Sequence, residues 1–461
     1  MRAFMVSRVR KGAAVGATYA MPRSLISDLD KECSTLTVQA RCSFGVPPPP
    51  FKAFTLTDTH LHVPRFYGLD HFGPAEFDQR TDGTPVDLRF EGTLTPLQEK
   101  ATEVAFGKQL SEGGTRGAMI CLACGQGKTV WAVHAAARIG RKTLVVVHKG
   151  VIRDQWEAAF LRFCPGCRVG FIQGATWQVE GCDVVIAMVM TLAKRGYDAS
   201  LLDEFGTVVV DECHHMAAPV MNLALRSINA RNVIALTATK DRPDGLTPLL
   251  HWGLGPEVFR ADRSGAETVR VSIALYAGAT QEILTRDGKP LMSLMLNRIA
   301  EHPGRNAFIA DRVATMRHAG RVILVLSHRL KQLEILRRML FAKGLAEDEV
   351  GVFKGGLKKE EQKRQLDRPV VLCSYQMADE GVDKVEADTC VMATPKRRVT
   401  QCIGRIQRPC ATKQVPIVVD VVDDVSVFAA QRWARQKLYR SERYEVQVLR
   451  TDTAGTADWF A

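Results

Sequence analysis

The feature that most limits what this chain can fold into is a regular alternation, from Arg89 onward, of short apolar runs with longer stretches of helical character. Runs that are uniformly apolar and rich in β-branched residues indicate strands buried on both faces, as in a parallel, doubly wound sheet. A first set comprises TLVVVH (143–148), DVVIAMV (183–189), TVVVDE (207–212) and NVIALTAT (232–239). After a polar and helix-like stretch from about 263 to 320, a second set comprises RVILVLSH (321–328), PVVLCSY (369–375), TCVMATP (389–395) and PIVVDVVD (416–423). The alternation predicts an α/β protein with two successive lobes.

The beginning of the chain has a different pattern. It contains FTLTDTHLHVP (54–64), which alternates like a strand, the proline run 47–50, and the turn signal Asp82-Gly83. These signals predict a small β-rich accessory domain. The proline run is interpreted as a stiff, extended connector rather than as a ligand for another domain.

Four parts of the chain are therefore predicted. They are an N-terminal accessory domain (1–88), a first lobe (89–262), a linker with a second lobe (263–430), and a basic C-terminal tail (431–461). The basic residues of the tail are Arg432, Arg435, Lys437, Arg440 and Arg443. A helix with a binding role and an ordinary solvated surface both fit this pattern, and the sequence leaves the two open.

Composition narrows the class of protein. The chain has 461 residues, which exceeds the usual size of one hydrophobic core and favours two or three domains. Lys and Arg outnumber Asp and Glu by 62 to 50, so the net charge is +12, and this favours a polyanionic partner without proving one. No apolar run approaches the roughly 18 residues of a membrane span, so we expect a soluble protein with no membrane partner. Twelve scattered cysteines are typical of a reducing, intracellular compartment.

Two alternatives arise from the same composition. The C-x-x-C pairs at 121/124 and 164/167 have a spacing that would suit a four-thiolate zinc site. Burial of the thiols as small apolar side chains explains the same pairs without metal. The segment Met1–Ser27 has basic but no acidic residues, as in a mitochondrial transit peptide. Gly12 and Gly16 weaken the amphipathic helix that such a peptide needs, so targeting stays the minor alternative.

A loop that grips nucleotide phosphates is indicated by LACGQGKT (122–129). The preceding AMICLA has the pattern of a strand and the following VWAVHAAARI that of a helix, which is the context that such a loop requires. Glycines let backbone N–H groups close on the phosphates, Lys128 would reach the β and γ oxygens, and Thr129 would bind Mg²⁺. The full motif has Gly in place of Leu122, and this departure counts against a kinase more than against ATP binding.

Paired carboxylates end the apolar run TVVVDE. This pattern places Asp211 and Glu212 at the carboxyl edge of the sheet, where doubly wound folds bind their ligands. Asp211 would hold Mg²⁺ directly or through water, and Glu212 would position and deprotonate the attacking water. Two exposed carboxylates that cap a helix are the alternative, and the uniformly apolar run before them weighs against it.

A partner for charge that develops on the γ-phosphate is suggested by QCIGRIQR (401–408). Gln401, Arg405 and Arg408 follow the strand and helix pattern of the second lobe, and arginines spaced i and i+3 face the same side of a helix. If these arginines reach nucleotide held by Lys128, hydrolysis would depend on closure of the lobes. Arginines that only pair with surface carboxylates are the alternative.

These segments, in their order along the chain, resemble motifs I, II, III, V and VI of superfamily 2 helicases. The matching residues are Gly125–Thr129, Asp211–His214, Thr237–Thr239, Glu380–Asp383 and Gln401–Arg408. LVVVHKGVIRDQW, ALTATKDRPDGL and SYQMADEGVD are most similar to the DEAD/H helicases of large DNA viruses and to their XPB-type and phage recombination-helicase relatives. VPRFYGLDHFG, which begins at Val63, resembles the domain that precedes the motor in the viral proteins. The resemblance implies two RecA-like doubly wound parallel-sheet lobes preceded by a small β-rich N-terminal domain.

The resemblance also implies roles for individual residues. Gln98 matches the glutamine that contacts adenine, and Asp383 matches the motif V contact to ribose. The residues that would bind ATP are Gln98, Cys124, Gly125, Gln126, Gly127, Lys128, Thr129, Gly381 and Asp383. Those that would couple the ATP state to the nucleic-acid track are Thr237, Ala238 and Thr239. Those at positions that touch the sugar–phosphate backbone are His148, Lys149, Gln173, Gly174, Thr191, Ser327, His328, Arg329, Ser374, Tyr375 and Gln376.

Together these features predict an ATP- and Mg²⁺-dependent helicase or translocase. By resemblance alone, the expected substrate is DNA rather than RNA, and the expected direction is 3′–5′ along the bound strand. The viral relatives imply a place in transcription, replication or repair, with transcription or replication proteins as partners and the cytoplasm, the nucleus or the virion as location. An RNA helicase and an ATP-regulated nucleic-acid-binding scaffold are the alternatives, and a small-molecule phosphotransferase would share the phosphate loop alone.

Overall fold

The computed structural model describes most of the chain in two compact units. The described residues are 9–41, 48–112, 114–123, 125–194, 199–217, 223–238, 244–261, 269–380, 382, 384–408, 410 and 412–450. We call Met1–Asp262 unit 1 and Arg263–Ala461 unit 2. Among the predicted site residues, Cys124, Thr239, Gly381 and Asp383 lie outside the described residues.

The described part of unit 1 has the following strands and helices. The strands are β1 (Arg10–Val15), β2 (Thr18–Pro22), β3 (Thr37–Val38), β4 (Phe51–Lys52), β5 (Thr55–Leu56), β6 (His60–Pro64), β7 (Ala75–Asp78), β8 (Gly117–Cys121), β9 (Thr143–Val147), β10 (Val169–Gln173), β11 (Thr176–Trp177), β12 (Val184–Met188), β13 (Thr207–Val210), β14 (Asn232–Thr237) and β15 (Glu257–Arg260). The α-helices are α1 (Leu29–Thr35), α2 (Arg65–His71), α3 (Pro96–Lys108), α4 (Lys128–Ile139), α5 (Gly150–Phe163), α6 (Val189–Lys194) and α7 (Thr247–Leu254).

The described part of unit 2 continues the numbering. Its strands are β16 (Arg270–Tyr276), β17 (Ile323–Ser327), β18 (Val350–Phe353), β19 (Val370–Ser374), β20 (Thr389–Met392), β21 (Ile417–Asp423) and β22 (Glu445–Arg450). Its α-helices are α8 (Met292–Glu301), α9 (Pro303–His318), α10 (Leu330–Ala342), α11 (Lys359–Leu366), α12 (Tyr375–Glu380), α13 (Thr400–Ile406) and α14 (Ser426–Ser441).

The larger sheet of unit 1 has the strand order β11-β10-β12-β9-β13-β14-β8-β15. Neighbouring strands are parallel except at β11, which pairs antiparallel with β10. Successive side chains of one strand enter opposite cores: Val208 and Val210 pack in one hydrophobic cluster, whereas Val209 packs in the other. This burial on both faces confirms the doubly wound α/β lobe predicted from the apolar runs.

The N-terminal region forms a separate small sheet with the order β5-β6-β2-β1-β7, which confirms the β-rich prediction. Arg65 at the start of α2 joins this sheet to the lobe: its guanidinium donates to the carbonyl of Gly16 at 2.6 Å and to the carbonyls of Ile228 and Ala230 at 3.0 and 2.6 Å. Burial lowers the pKa of Arg65 to about 9. The boundary predicted at residue 88 therefore marks a change of sheet within one compact unit.

The sheet of unit 2 has the order β18-β19-β17-β20-β21-β16-β22, with every neighbouring pair parallel. Its two faces are again covered, because Leu324 and Leu326 pack in one cluster and Ile323 and Val325 in the other. The two apolar strand sets of the sequence thus form two parallel sheets. β16 and β22 were not among the predicted strands, and they extend this sheet beyond β21.

The predicted basic tail does not begin where the sequence pattern placed it. Residue 431 lies inside α14, and the helix is fixed to the sheet by Arg435. This fully buried guanidinium donates to both carboxylate oxygens of Asp420, at 2.7 and 2.9 Å, and to the carbonyl of Lys396 at 2.7 Å. The hydroxyl of Tyr439 donates to the same carboxylate at 3.0 Å. The boundary at 430/431 is corrected accordingly, because residues 431–450 complete the fold of unit 2.

Arg435→Ala is expected to lower the free energy of unfolding by about 3–5 kcal/mol, because it leaves the Asp420 carboxylate buried without its partner. Urea unfolding followed by circular dichroism measures the effect. Arg440→Ala is the matched control, since Arg440 is exposed on the same helix, and its effect should stay within about 0.5 kcal/mol. Equal effects of the two substitutions would contradict the assignment of Arg435 as the residue that fixes the helix.

Candidate ATP site and nucleic-acid edges

The predicted phosphate loop connects β8 to α4 at the carboxyl edge of the unit 1 sheet. Gly125 and Gly127 have φ of 87° and 75°, in the left-handed region that favours glycine. The side-chain oxygen of Gln126 accepts from the backbone N–H of Ala123 at 2.7 Å and closes the loop on itself. α4 begins at Lys128, so this lysine and Thr129 lie in its first turn. The loop therefore has the glycines, lysine and helix N-terminus that phosphate binding requires.

The lysine of the loop and the second carboxylate meet in space although 84 residues separate them. Lys128 Nζ lies 3.1 Å from Glu212 Oε1, and the two side chains are only 11% and 17% exposed. Glu212 has φ of 45°, an uncommon value for a residue other than glycine, and β13 ends just before it. The turn thus directs the carboxylate of Glu212 back toward the phosphate loop.

Asp211 is held by a tryptophan that the sequence analysis did not single out. Trp156 lies on α5, is 1% exposed, and donates from Nε1 to Asp211 Oδ2 at 2.9 Å. The other carboxylate oxygen accepts from the backbone N–H of Glu212 at 2.8 Å. Burial and the neighbouring Glu212 carboxylate raise the pKa of Asp211 to about 6, whereas a bound cation would favour the charged form.

Gln98 contacts the phosphate loop from α3. Thr95 and Gln98 form a capping box at the start of this helix. The side-chain amide of Gln98 then donates to the carbonyl of Gly127 at 3.0 Å. A Cβ at position 127 would lie 2.2 Å from Gln98 Nε2, so the glycine is required for this approach as well as for its φ. Gln98 thus supports the loop directly, and its contact to adenine stays a prediction.

A histidine joins the candidate general base to the predicted coupling segment. His214 Nδ1 lies 3.4 Å from Glu212 Oε2 and 3.2 Å from Thr237 Oγ1. Thr237 ends β14, and its carbonyl accepts from the backbone N–H of Leu122 at 3.1 Å. Ala238 follows directly at the same edge. His214 therefore links the candidate general base to the predicted coupling segment, and Thr237 in turn contacts Leu122 at the start of the phosphate loop.

The residues at this edge fit ATP with Mg²⁺. Mg²⁺ in phosphate sites is held by one or two carboxylates or hydroxyls together with phosphate oxygens and water, and Thr129 and Asp211 supply oxygen ligands of this kind.

No group of three or more His, Cys, Asp or Glu side chains suited to a metal occurs in the described part of the chain. For the zinc alternative, Cys121 and Cys164 are buried, and burial raises the pKa of Cys164 to about 11, which disfavours the thiolate that zinc needs.

The predicted nucleic-acid residues of unit 1 follow strands that end at the same edge. His148 and Lys149 follow β9, and Lys149 immediately precedes α5. The backbone N–H of Gly174 donates to Thr191 Oγ1 at 3.1 Å, so this glycine after β10 and the threonine on α6 are in contact. Gln173 is hydrogen-bonded by Arg153, a residue that the sequence analysis did not include.

The predicted nucleic-acid residues of unit 2 follow β17 and β19. His328 contacts Thr394 Oγ1 through its backbone N–H at 2.9 Å and its Nδ1 at 3.0 Å. The Arg329 guanidinium donates to Asn297 Oδ1 at 2.5 Å and to Ser293 Oγ at 3.0 Å. Both of these partners belong to α8, so α8 holds Arg329 in place.

Two residues of this set have buried side chains. The Ser327 side chain is fully buried and donates to Gln332 Oε1 at 2.7 Å. Tyr375 is 3% exposed, and its hydroxyl donates to the carbonyl of Thr394 at 2.6 Å. Their side chains therefore support the edge from inside the unit. Ser374 Oγ accepts from the backbone N–H of Met377 at 3.3 Å, and Gln376 is exposed beside it.

The predicted arginines lie at the end of α13. Arg405 is on the helix, and its guanidinium donates to the carbonyl of Val382 at 2.8 Å. Arg408 lies two residues beyond the helix end at Ile406, so the expectation that both arginines share one helical face is wrong. Gln401 lies in the first turn of the same helix. Arg405 is therefore connected to the segment that contains motif V.

Parallel sheets with covered faces, a phosphate loop at a helix N-terminus and two carboxylates after a buried strand define an ATP-hydrolysing protein of the RecA-like type. A family model described as "Type III restriction enzyme, res subunit" matches residues 91–242. The chain is 30% identical over 406 residues to a protein of Acanthamoeba polyphaga mimivirus named as an ATP-dependent RNA helicase, covering 86% of this chain and 78% of the relative. It is 24% identical over 471 residues to a protein of African swine fever virus with the same description, covering 94% of this chain and 90% of the relative.

Among solved structures, a fragment of an HsdR subunit of a type I restriction enzyme from Vibrio vulnificus matches with a TM-score of 0.56 at 17% identity, over 78% of this chain and 69% of the other. This likeness concerns the fold alone.

The mimivirus relative shows the family: the chain belongs to the ATP-dependent helicases of superfamily 2, with viral homologues, as the motifs indicated. It is thus an ATP-hydrolysing enzyme. No helix of the described residues is long and apolar enough to cross a membrane.

Proposed function

We propose that this helicase is a DNA motor that moves in the 3′–5′ direction by closing two lobes on ATP and Mg²⁺. The observation that carries the proposal is the 3.1 Å contact between Lys128 and Glu212, next to an Asp211 carboxylate fixed by Trp156. These groups come from distant parts of the sequence and meet at one edge of one sheet. They are the groups that phosphoryl transfer to water needs for binding, metal coordination and proton abstraction.

Each residue has a distinct part in the proposed reaction. Lys128 and the N–H groups of the loop would bind the phosphates, and Thr129 and Asp211 would hold Mg²⁺, which would neutralise phosphate charge. To do so, Lys128 would turn from Glu212 to the phosphates, and this would leave the Glu212 carboxylate to orient a water and accept its proton. Arg405 and Arg408 are proposed to stabilise the charge that develops on the γ-phosphate, with Gln401 as a further polar contact. Gln98, Gly381 and Asp383 are proposed to contact the nucleoside.

Movement along the strand is proposed to follow from the contacts of the general base. Because His214 touches both Glu212 and Thr237, a change in the charge around Glu212 reaches the coupling segment through one side chain. The strand would be held at the carboxyl edges by His148, Lys149, Gly174 and Thr191 in unit 1, and by the residues after β17 and β19 in unit 2. Alternating closure and opening would shift this grip by steps.

The proposed substrate is DNA, bound mainly through its sugar–phosphate backbone. Lys and Arg contacts to phosphate carry no sequence information, so binding should be nonspecific and should weaken steeply as salt rises. RNA is the second candidate, because the mimivirus and African swine fever virus relatives are both named as RNA helicases. We further propose a role in viral-type transcription, replication or repair, with proteins of those processes as partners.

The test is the rate of ATP hydrolysis by the full chain with no nucleic acid, with single-stranded DNA, and with single-stranded RNA of the same sequence. The expected result is a stimulation of about tenfold or more by DNA that exceeds the effect of RNA and disappears when Mg²⁺ is chelated. Lys128→Ala is the inactive control. Stronger stimulation of ATP hydrolysis by RNA than by DNA would mean that the substrate is RNA. Hydrolysis that neither strand stimulates would contradict a motor, and no hydrolysis would favour a binding scaffold.

A further inference from the structure

Residues 277–291 of unit 2 lie at the same edge as the predicted strand contacts. All strands of the unit 2 sheet are parallel, so their carboxyl ends share one edge. β16 ends at Tyr276 and β17 ends just before His328, and both therefore end at that edge. The chain between β16 and α8 thus leaves the sheet on the side of the proposed nucleic-acid grip.

This segment forms a short hairpin rather than an irregular loop. Leu284 and Pro290 form an antiparallel bridge. The backbone N–H of Thr285 donates to the carbonyl of Lys289 at 2.7 Å, and the N–H of Leu291 donates to the carbonyl of Ile283, also at 2.7 Å. Gly288, at the turn, has φ of 73°, a left-handed value that favours glycine.

The base of the hairpin is anchored, whereas its tip is exposed. Ala279 and Ile283 pack in a hydrophobic cluster with residues of α8 and α14, and Ser426 is hydrogen-bonded to Glu282. Leu284 is an apolar side chain that is 50% exposed. Arg286 and Lys289 are exposed on either side of the turn. The tip therefore presents one apolar side chain and two cations to solvent.

The hairpin is also connected to the proposed grip on the strand. It continues after Leu291 directly into α8, whose Ser293 and Asn297 hold the Arg329 guanidinium. If Arg329 moved on binding a phosphate of the strand, the movement would therefore be transmitted to α8 and to the base of the hairpin. The anchored base would keep the tip at a fixed distance from the grip.

We propose that the hairpin 283–291 is the element that separates the two strands of a duplex. Leu284 would press against the end base pair, as apolar wedges do when they unstack a base step. Arg286 and Lys289 would contact the phosphates of the strand that is displaced. This inference rests on the proposed function, because translocation must draw the strand past the tip.

The test compares two activities of the same variant of the full chain, Leu284→Ala with Arg286→Ala and Lys289→Ala. The rate of strand displacement from a forked DNA duplex should fall about tenfold, the factor that corresponds to the stacking free energy of about one base step. ATP hydrolysis stimulated by single-stranded DNA should stay within about twofold, since none of the three substituted residues is among those proposed to bind ATP or the single strand. Retained stimulated hydrolysis also shows that the variant is folded.

The matched control is Lys363→Ala with Arg364→Ala, two exposed basic residues on α11. This helix leads back to the start of β19, so its last turn lies toward the opposite edge of the sheet. Displacement by the control should stay within about twofold of the unaltered chain. An equal loss in the control would mean a general effect of charge and would overturn the proposal.

Other outcomes separate this inference from the proposed function. Unchanged displacement by the hairpin variant would overturn the wedge, and loss of its stimulated hydrolysis would assign the hairpin to the grip instead. If the unaltered chain shows stimulated hydrolysis but displaces no strand from forked DNA, the wedge is overturned while the motor stands. If it shows no stimulated hydrolysis, the proposed function itself fails.

Discussion

Glu212→Gln is expected to reduce ATP turnover by about a hundred- to ten-thousandfold, because an amide cannot accept the proton of the attacking water. ATP binding should be kept or strengthened, since the substitution removes the carboxylate that lies 3.1 Å from Lys128 in the structure and leaves the lysine to the phosphates. Single-turnover hydrolysis measures the first effect. Equilibrium binding of a fluorescent ATP analogue measures the second.

The control for this substitution is Glu180→Gln, which makes the same chemical change at an exposed position of unit 1. Its turnover should match that of the unaltered chain. Turnover by Glu212→Gln that stays close to normal would mean that another group is the general base. Loss of ATP binding together with turnover would instead make the contact between Glu212 and Lys128 a structural one.

Substitution of Arg405 or Arg408 by Ala is expected to lower strand-stimulated ATP turnover by about a thousandfold, the usual contribution of an arginine that acts on the transferred phosphoryl group. ATP affinity should change much less, because the loop and Lys128 supply most of the binding. Arg405→Lys should not restore the rate, since an ammonium cannot donate through two parallel N–H groups. Steady-state hydrolysis at saturating ATP and single-stranded DNA measures the loss.

Arg398→Ala removes an exposed arginine just before α13 and is the matched control. It should leave the turnover within about twofold of normal. Because Arg405 also donates to the carbonyl of Val382, its variant must be shown to keep a normal unfolding midpoint. Turnover that falls no further in the Arg405 and Arg408 variants than in this control would contradict their role.

The parallel sheets and the phosphate loop could be predicted because their signals are local. A strand buried on both faces must be apolar at every position, as in TVVV before Asp211, and a loop that binds phosphate needs glycines followed by lysine. β22 was missed for the opposite reason. β22 alternates polar and apolar residues and lies at the edge of the sheet, so its sequence EVQVLR resembles the surface of a basic tail.

The contacts that complete the candidate site could not be predicted, because they join residues that are distant in sequence. Trp156 lies 55 residues before Asp211 and His214 lies 23 residues before Thr237, and no spacing rule connects either pair. The same limit applies to two of the predicted nucleic-acid residues of unit 2. Ser327 and Tyr375 occupy motif positions after strands, but packing decides that their side chains point inward. Sequence patterns therefore located the edge, and tertiary structure decided which side chains are available there.

The measurement that tests the account most directly is a structure of the full chain with Mg²⁺, an unreactive ATP analogue and single-stranded DNA. We expect a guanidinium nitrogen of Arg405 or Arg408 to lie about 2.7–2.9 Å from an oxygen of the terminal phosphoryl group, as in a charge-assisted hydrogen bond. Lys128 should have left Glu212 for the same phosphate. If the loop binds the nucleotide but both arginines pair with other groups away from it, their proposed role in hydrolysis is contradicted.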